Sequence, residues 1–166
     1  RRKPRKLLIC SGPPFNGSRD IHFSGLVAGF AGQKIICGGT TANIISRELG
    51  KKITVAPIEM MDSDLPPSSS MEGIDLVTEG ILTLSRVSEM LKQRSSPDAT
   101  ASNAATKIVK MLMEADVIEF LVGTCINVAH QDPSLPVELD IRRNIIKKIA
   151  EQLESKYLKQ VNIKYL

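Results

Sequence analysis

Four short apolar runs recur along this chain, and small or polar turn residues close each one. Leu7–Cys10 runs into Ser11-Gly12, Ile35–Cys37 into Gly38-Gly39-Thr40-Thr41, Ile74–Val77 into Thr78-Glu79-Gly80, and Val117–Val122 into Gly123-Thr124. Apolar runs of this length without alternation are those of strands buried on both faces. Helical patterns separate them, which predicts a three-layer α/β fold: a mostly parallel sheet of about five or six strands with helices on both faces. If the strands are parallel, their four exits line one rim of the sheet, where open α/β sheets bind ligands.

The other elements follow from local pattern. Ile53–Ala56 reads as a short strand, and the alternation in Val161–Tyr165 as an edge strand. A helix is expected from Arg19 to about Ala31, capped by Ser18, with Ile21, Leu26, Val27 and Phe30 inward. A second follows Gly-Gly-Thr-Thr and ends at Gly50, the expected left-handed closing residue, with either Thr40 or Thr41 as its cap. A third runs to about Gln93 with Ile81, Leu84, Val87, Met90 and Leu91 inward. The fourth, about Ser102 to Ala115, carries a stripe of Ala104, Ala105, Ile108, Leu112 and Ala115. Glu138–Tyr157 repeats Ile141, Ile145, Ile149, Leu153 and Tyr157 every four residues. Pro57–Gly73, with three prolines and three consecutive serines, fits no period and reads as a loop.

Charge sorts the chain into two parts. Five of the first six residues are basic, and the remainder holds 17 basic against 18 acidic residues. Residues 1–6 are thus read as a linker stub from a preceding domain, and residues 7–166 as a single α/β accessory domain. Cationic charge confined to a terminal stub is no nucleic-acid footprint, so no nucleic acid is expected as a partner. No apolar run approaches the roughly 18 residues of a membrane span, and no secretory signal is present. Cys10, Cys37 and Cys125 are odd in number and far apart, so neither a disulfide framework nor a metal pair is expected. Reduced, buried thiols suit a cytoplasmic protein.

Chemistry is expected at the strand exits. Backbone amides from Gly38 and Gly39 to Ala42, the hydroxyls of Thr40, Thr41 and Thr124, the side chains of Asn43, Glu79 and Asn127, and His130 are the candidate ligand-binding residues. Such a set suits phosphate, carboxylate or another small polar metabolite. The competing explanation is plain: strand exits need small turn residues, and helices need caps. Stricter motifs are absent. Gly-Gly-Thr-Thr lacks the lysine of a P-loop, and no G-x-G-x-x-G, H-E-x-x-H or G-x-S-x-G occurs. Glu59, Asp62, Asp64 and Glu72 match no calcium loop, so no metal site and no catalytic residue is assigned.

Three strings carry a resemblance: ICGGTTANIISRELG, EGIDLVTEGILTLSRVSEML and INVAHQDPSLPVEL. With the Lys-Pro-Arg-Lys start, the chain resembles the C-terminal region of bacterial stage II sporulation protein E-like phosphatases. These are metal-dependent serine/threonine phosphatases of type 2C, and the likeness covers about Lys3 to Leu166. It implies a preceding catalytic domain that holds manganese or magnesium with aspartates in Asp-Gly and Gly-Asp-Asp contexts. Neither Asp-Gly nor Gly-Asp occurs in this chain, so the resemblance places no catalytic residue and no cofactor here. What it implies is a regulatory domain partnered by the phosphatase domain before it, acting by ligand sensing, partner docking or self-association; with the strand exits, binding of a small polar or anionic ligand is the leading expectation. A docking or dimerisation module, as a homodimer without a ligand, is the alternative, and an enzyme using Glu79, His130 or Cys125 a more distant one.

Overall fold

β1 (Lys6–Ser11) is the strand on which the sheet is built. It pairs in parallel with β2 (Gln33–Cys37) on one side and with β6 (Val117–Val122) on the other. The computed structural model describes residues 3–12, 17–55, 69–93, 104–123 and 135–166, the side chains of residue 55 and of residues 135–140 excepted. Leu7 through Ser11 are all buried, which is why this stretch is apolar without alternation. β5 (Ile74–Thr78) extends the parallel set beyond β2, and β7 (Gln160–Tyr165) extends it beyond β6.

Helices cover both faces, as a right-handed parallel topology requires. α1 (Asp20–Gly29) and α2 (Gly39–Leu49) pack Phe23, Val27, Ala42 and Ile45 onto Leu8, Cys10, Ile36 and Val77. The opposite face receives α3 (Ile81–Gln93), α4 (Ala104–Glu114) and α5 (Leu135–Tyr157). There Leu84, Leu91, Ile108, Leu112, Ile149 and Leu153 close over Leu7, Ile9, Ile35, Ile118 and Phe120. The α4 stripe is buried as its spacing predicts. α2 ends at Gly50 in the left-handed region, where its N–H and that of Lys51 both reach the Ser46 carbonyl.

Several expectations are corrected. The sheet has seven strands among the described residues, in the order β3-β4-β5-β2-β1-β6-β7, rather than five or six. The added strand, β4 (Ser69–Met71), lies within the segment expected to be loop. It pairs antiparallel with both β3 (Ile53–Val55) and β5, and turns into β5 through Glu72-Gly73. Gly73 takes φ 84°, the positive value that such a tight turn demands. Serines conceal this strand because only Met71 of its three residues is buried. Residues 56–68 of that segment lie outside the described residues. On α1 Phe23 joins Val27 inward, whereas Ile21 is 74% exposed, and the cap position falls on Arg19, whose side chain makes no capping bond. Lys6 begins β1, and the Arg5 backbone is bonded to Asp116, so both belong to the fold.

Two glycines report on packing in opposite ways. A Cβ on Gly32 would stand 2.5 Å from the Lys6 carbonyl oxygen and 2.9 Å from the Phe30 ring, where backbone cannot yield. A Cβ on Gly25 would meet nothing within 4 Å. Gly32→Ala is therefore expected to destabilise the protein by about 1–3 kcal/mol. Gly25→Ala should stabilise it by about 0.5–1 kcal/mol through helix propensity. Urea unfolding midpoints at unchanged slope check both signs.

Candidate functional site

Because β5, β2, β1 and β6 run parallel, their carboxyl ends emerge on one side of the molecule. The chain moves from β1 to β2, out to the edge strand β3 and back through β4 to β5, then crosses to the far side of β1 as β6. That reversal makes the ends of β1 and β6 the switch point at which open α/β sheets accept ligands. There Ser11-Gly12 and Gly123 are joined by a 2.8 Å hydrogen bond from the Gly123 N–H to the Ser11 carbonyl.

Gly12 takes φ 83°, and a Cβ there would stand 2.5 Å from Arg142 Nη1 and 3.0 Å from the Gly123 carbonyl oxygen. The glycine is thus required twice, by its backbone and by the guanidinium lying over it. Arg142 comes from the second turn of α5 and reaches across the end of β1. Nothing in the primary structure marks it, because Arg142 and Arg143 look alike on the polar side of an amphipathic helix. Only the Gly12 contact separates them. Arg143 instead places its guanidinium 5.5 Å from the centre of the Tyr165 ring.

One strand over, α2 starts directly at the end of β2. Gly38 occupies the cap position at φ 123°, a conformation that disfavours any side chain, and Gly39 opens the helix with nothing within 4 Å of a Cβ. The expected threonine cap does not form. Gly38, which has no side chain to offer, holds the cap position, and Thr40 and Thr41 are already helical. Thr40 is exposed, whereas Thr41 is 1% exposed and tucked beneath Gly38. The first-turn amides at Gly39, Thr40 and Thr41, which no helix can satisfy internally, therefore open on the rim with the positive end of the helix dipole. Asn43 is exposed one turn further along α2.

The β5 exit closes onto the same place. The Gly38 N–H donates to the Thr78 carbonyl at 2.8 Å, and a Cβ on Gly80 would meet the Gly38 Cα at 3.6 Å. Glu79 stands between them, partly buried, with Oε2 shielded from solvent and without a hydrogen-bond partner. The structure thus gathers Gly38, Gly39, Thr40 and Glu79 at the rim, and adds Gly12, Gly123 and Arg142. Thr124, Asn127 and His130 lie outside the described residues, as does Cys125. His22 is exposed on α1.

The two described cysteines are poor nucleophiles. Cys10 and Cys37 sit on adjacent strands but belong to the cores on opposite faces of the sheet. Burial, then the neighbouring Cys37, raise the Cys10 thiol far above its ordinary range. Burial pushes Cys37 up to about 12; Glu79 adds to this, and a hydrogen bond with the Thr78 side chain opposes it. Among the described residues, no group of three or more His, Cys, Asp or Glu side chains is placed to hold a metal ion. No described helix is long and apolar enough to cross a membrane. No protein-family model matches the chain, and neither a curated protein nor a solved structure does so.

The raised thiols set a pH dependence. In the unfolded chain Cys37 titrates near its ordinary 9.0, and in the fold near 12, so above pH 9 the native state holds a proton that the unfolded state has lost. Stability is then fully present below pH 9 and falls as pH rises toward 12. Between pH 9 and 11 the loss for this thiol should be about 1.4 kcal/mol per pH unit. Cys37→Ala should flatten the measured slope by that amount in urea unfolding at stepped pH. An unchanged slope would refute the assignment.

Proposed function

We propose that this chain is the C-terminal accessory domain of a cytoplasmic bacterial serine/threonine phosphatase of the stage II sporulation protein E-like type. In this reading it is not itself catalytic, and it binds a small anionic ligand at the carboxyl rim of its sheet. The family half of the reading rests on the three strings quoted above and on the absence of Asp-Gly and Gly-Asp from a chain they span. Manganese or magnesium then belongs to the preceding phosphatase domain, and regulation passes between the two domains.

The ligand half rests on one observation: α2 begins at Gly39 with a glycine, Gly38, in the cap position, so neither threonine caps the first-turn amides at the rim beside the switch point. Helix N-termini of this kind favour anions through aligned amides and the dipole. Had a threonine capped the helix, turn geometry alone would account for the whole motif.

A second reading, a docking or dimerisation module, has its own support. The apolar stripe of α5 does not supply the surface, since Ile149 and Leu153 are in the core. A groove of about 540 Å³ does lie between α1 and the sheet, lined by Leu8, Leu26, Phe30 and Leu121 and edged by Glu119 and Lys164. It lies against the α1 face of the sheet and does not include Gly12, Gly38, Glu79 or Arg142, so the two readings separate experimentally. A concentration-dependent dimer in light scattering, with no anion response, would favour the groove.

Two outcomes test the ligand reading. Inorganic phosphate at about a hundred times its Kd should add about 2.7 kcal/mol of stability, raising Tm by about 5–10 °C. Thr40→Asp, which supplies a carboxylate to the α2 N-terminus, should raise the ligand-free Tm and remove most of the phosphate response. No shift with phosphate, or a shift unaffected by Thr40→Asp, would overturn the site. Metal-dependent turnover of p-nitrophenyl phosphate by this domain alone would overturn its non-catalytic assignment.

A further inference from the structure

The rim is bipolar. Its β1 end carries the Arg142 guanidinium over Gly12. Its β5 end carries the Glu79 carboxylate, whose Oε2 is buried without a partner. Between them open the amides of α2. Buried acceptors are nearly always satisfied in folded proteins, and a carboxylate can only accept. This corner of the rim therefore calls for a donor, and an anion there would be repelled.

We propose that the ligand is a small anion that also carries hydroxyl or ammonium donors: its anionic group lies between the α2 N-terminus and Arg142, and its donors face Glu79. This deepens the reading of the rim as an anion site and rests on it. Neighbouring strand exits are about 5 Å apart, so the β5 and β1 ends lie about 10 Å from each other, with α2 between them. A sugar phosphate has its phosphate and hydroxyls separated on that scale. An amino acid offers the same pairing of anion and donor over a shorter reach.

Titration calorimetry of the full chain with inorganic phosphate, ribose, ribose 5-phosphate and L-aspartate tests the proposal. Ribose 5-phosphate, or L-aspartate if the ligand is of the amino-acid kind, should bind at least about tenfold tighter than inorganic phosphate. Ribose alone should not bind measurably. Glu79→Gln should erase that tenfold advantage without weakening phosphate itself, whereas Arg142→Gln should weaken phosphate and the larger ligand alike. The comparison among ligands on the unaltered protein does not depend on either variant folding. Phosphate binding with no gain from any attached donor, or a gain that survives Glu79→Gln, would sink the bipolar site but keep the anion site. If neither phosphate nor any larger anion binds, both readings fall.

Discussion

The parallel pairing of β1 with both β2 and β6 is the constraint on which the rest of this structure depends. A strand flanked on each side and covered on both faces must be apolar throughout, and Leu7 through Cys10 meet that demand. Because β1 is central, the chain can grow outward on only two sides. It goes first to β2 and β5, then back to β6 and β7. Right-handed crossovers then send α1 and α2 to one face and α3, α4 and α5 to the other. The reversal also leaves Ser11-Gly12 and Gly123 side by side at the switch point.

That geometry separates stability from chemistry. Below the rim the two cores are apolar, and even the thiols of Cys10 and Cys37 are held protonated by burial. At the rim the chain concentrates what the interior excludes: glycines at positive φ, uncapped amides, a guanidinium and a carboxylate. Gly12 and Gly38 are needed because a side chain at either would strain the backbone, and at Gly12 would also displace Arg142. The rim is thus preorganised by packing beneath it, since β2 and β5 are locked through the Gly38–Thr78 hydrogen bond and the Gly80 contact.

Legibility varied with how local the cause was. The α4 stripe and the Gly50 stop were readable because neighbours within one or two helical turns decide them. The run Val117–Val122 was readable because burial on both faces leaves no polar residue except Glu119. β4 was not, since only Met71 of its three residues is buried and its strand state comes from ladder bonds to β3 and β5. Nor was the missing cap: Thr40 and Thr41 are good capping residues, but the helix begins one residue before Thr40, at Gly39. Arg142 was the least visible, because its partner glycine lies 130 positions away.

By itself the amino-acid sequence determined the class of fold: apolar runs too short for helices alternate with helical periods, and that pattern can be buried only as an α/β sheet. It also determined that turn residues follow each strand. It did not determine which turns meet. Tertiary structure decided that, because strand order depends on contacts between segments distant in the chain. The order β5-β2-β1-β6 sets Gly38 between Glu79 and Gly12, and the descent of α5 across that end adds Arg142. Four separate loops become one rim only when parallel pairing brings their ends to the same side.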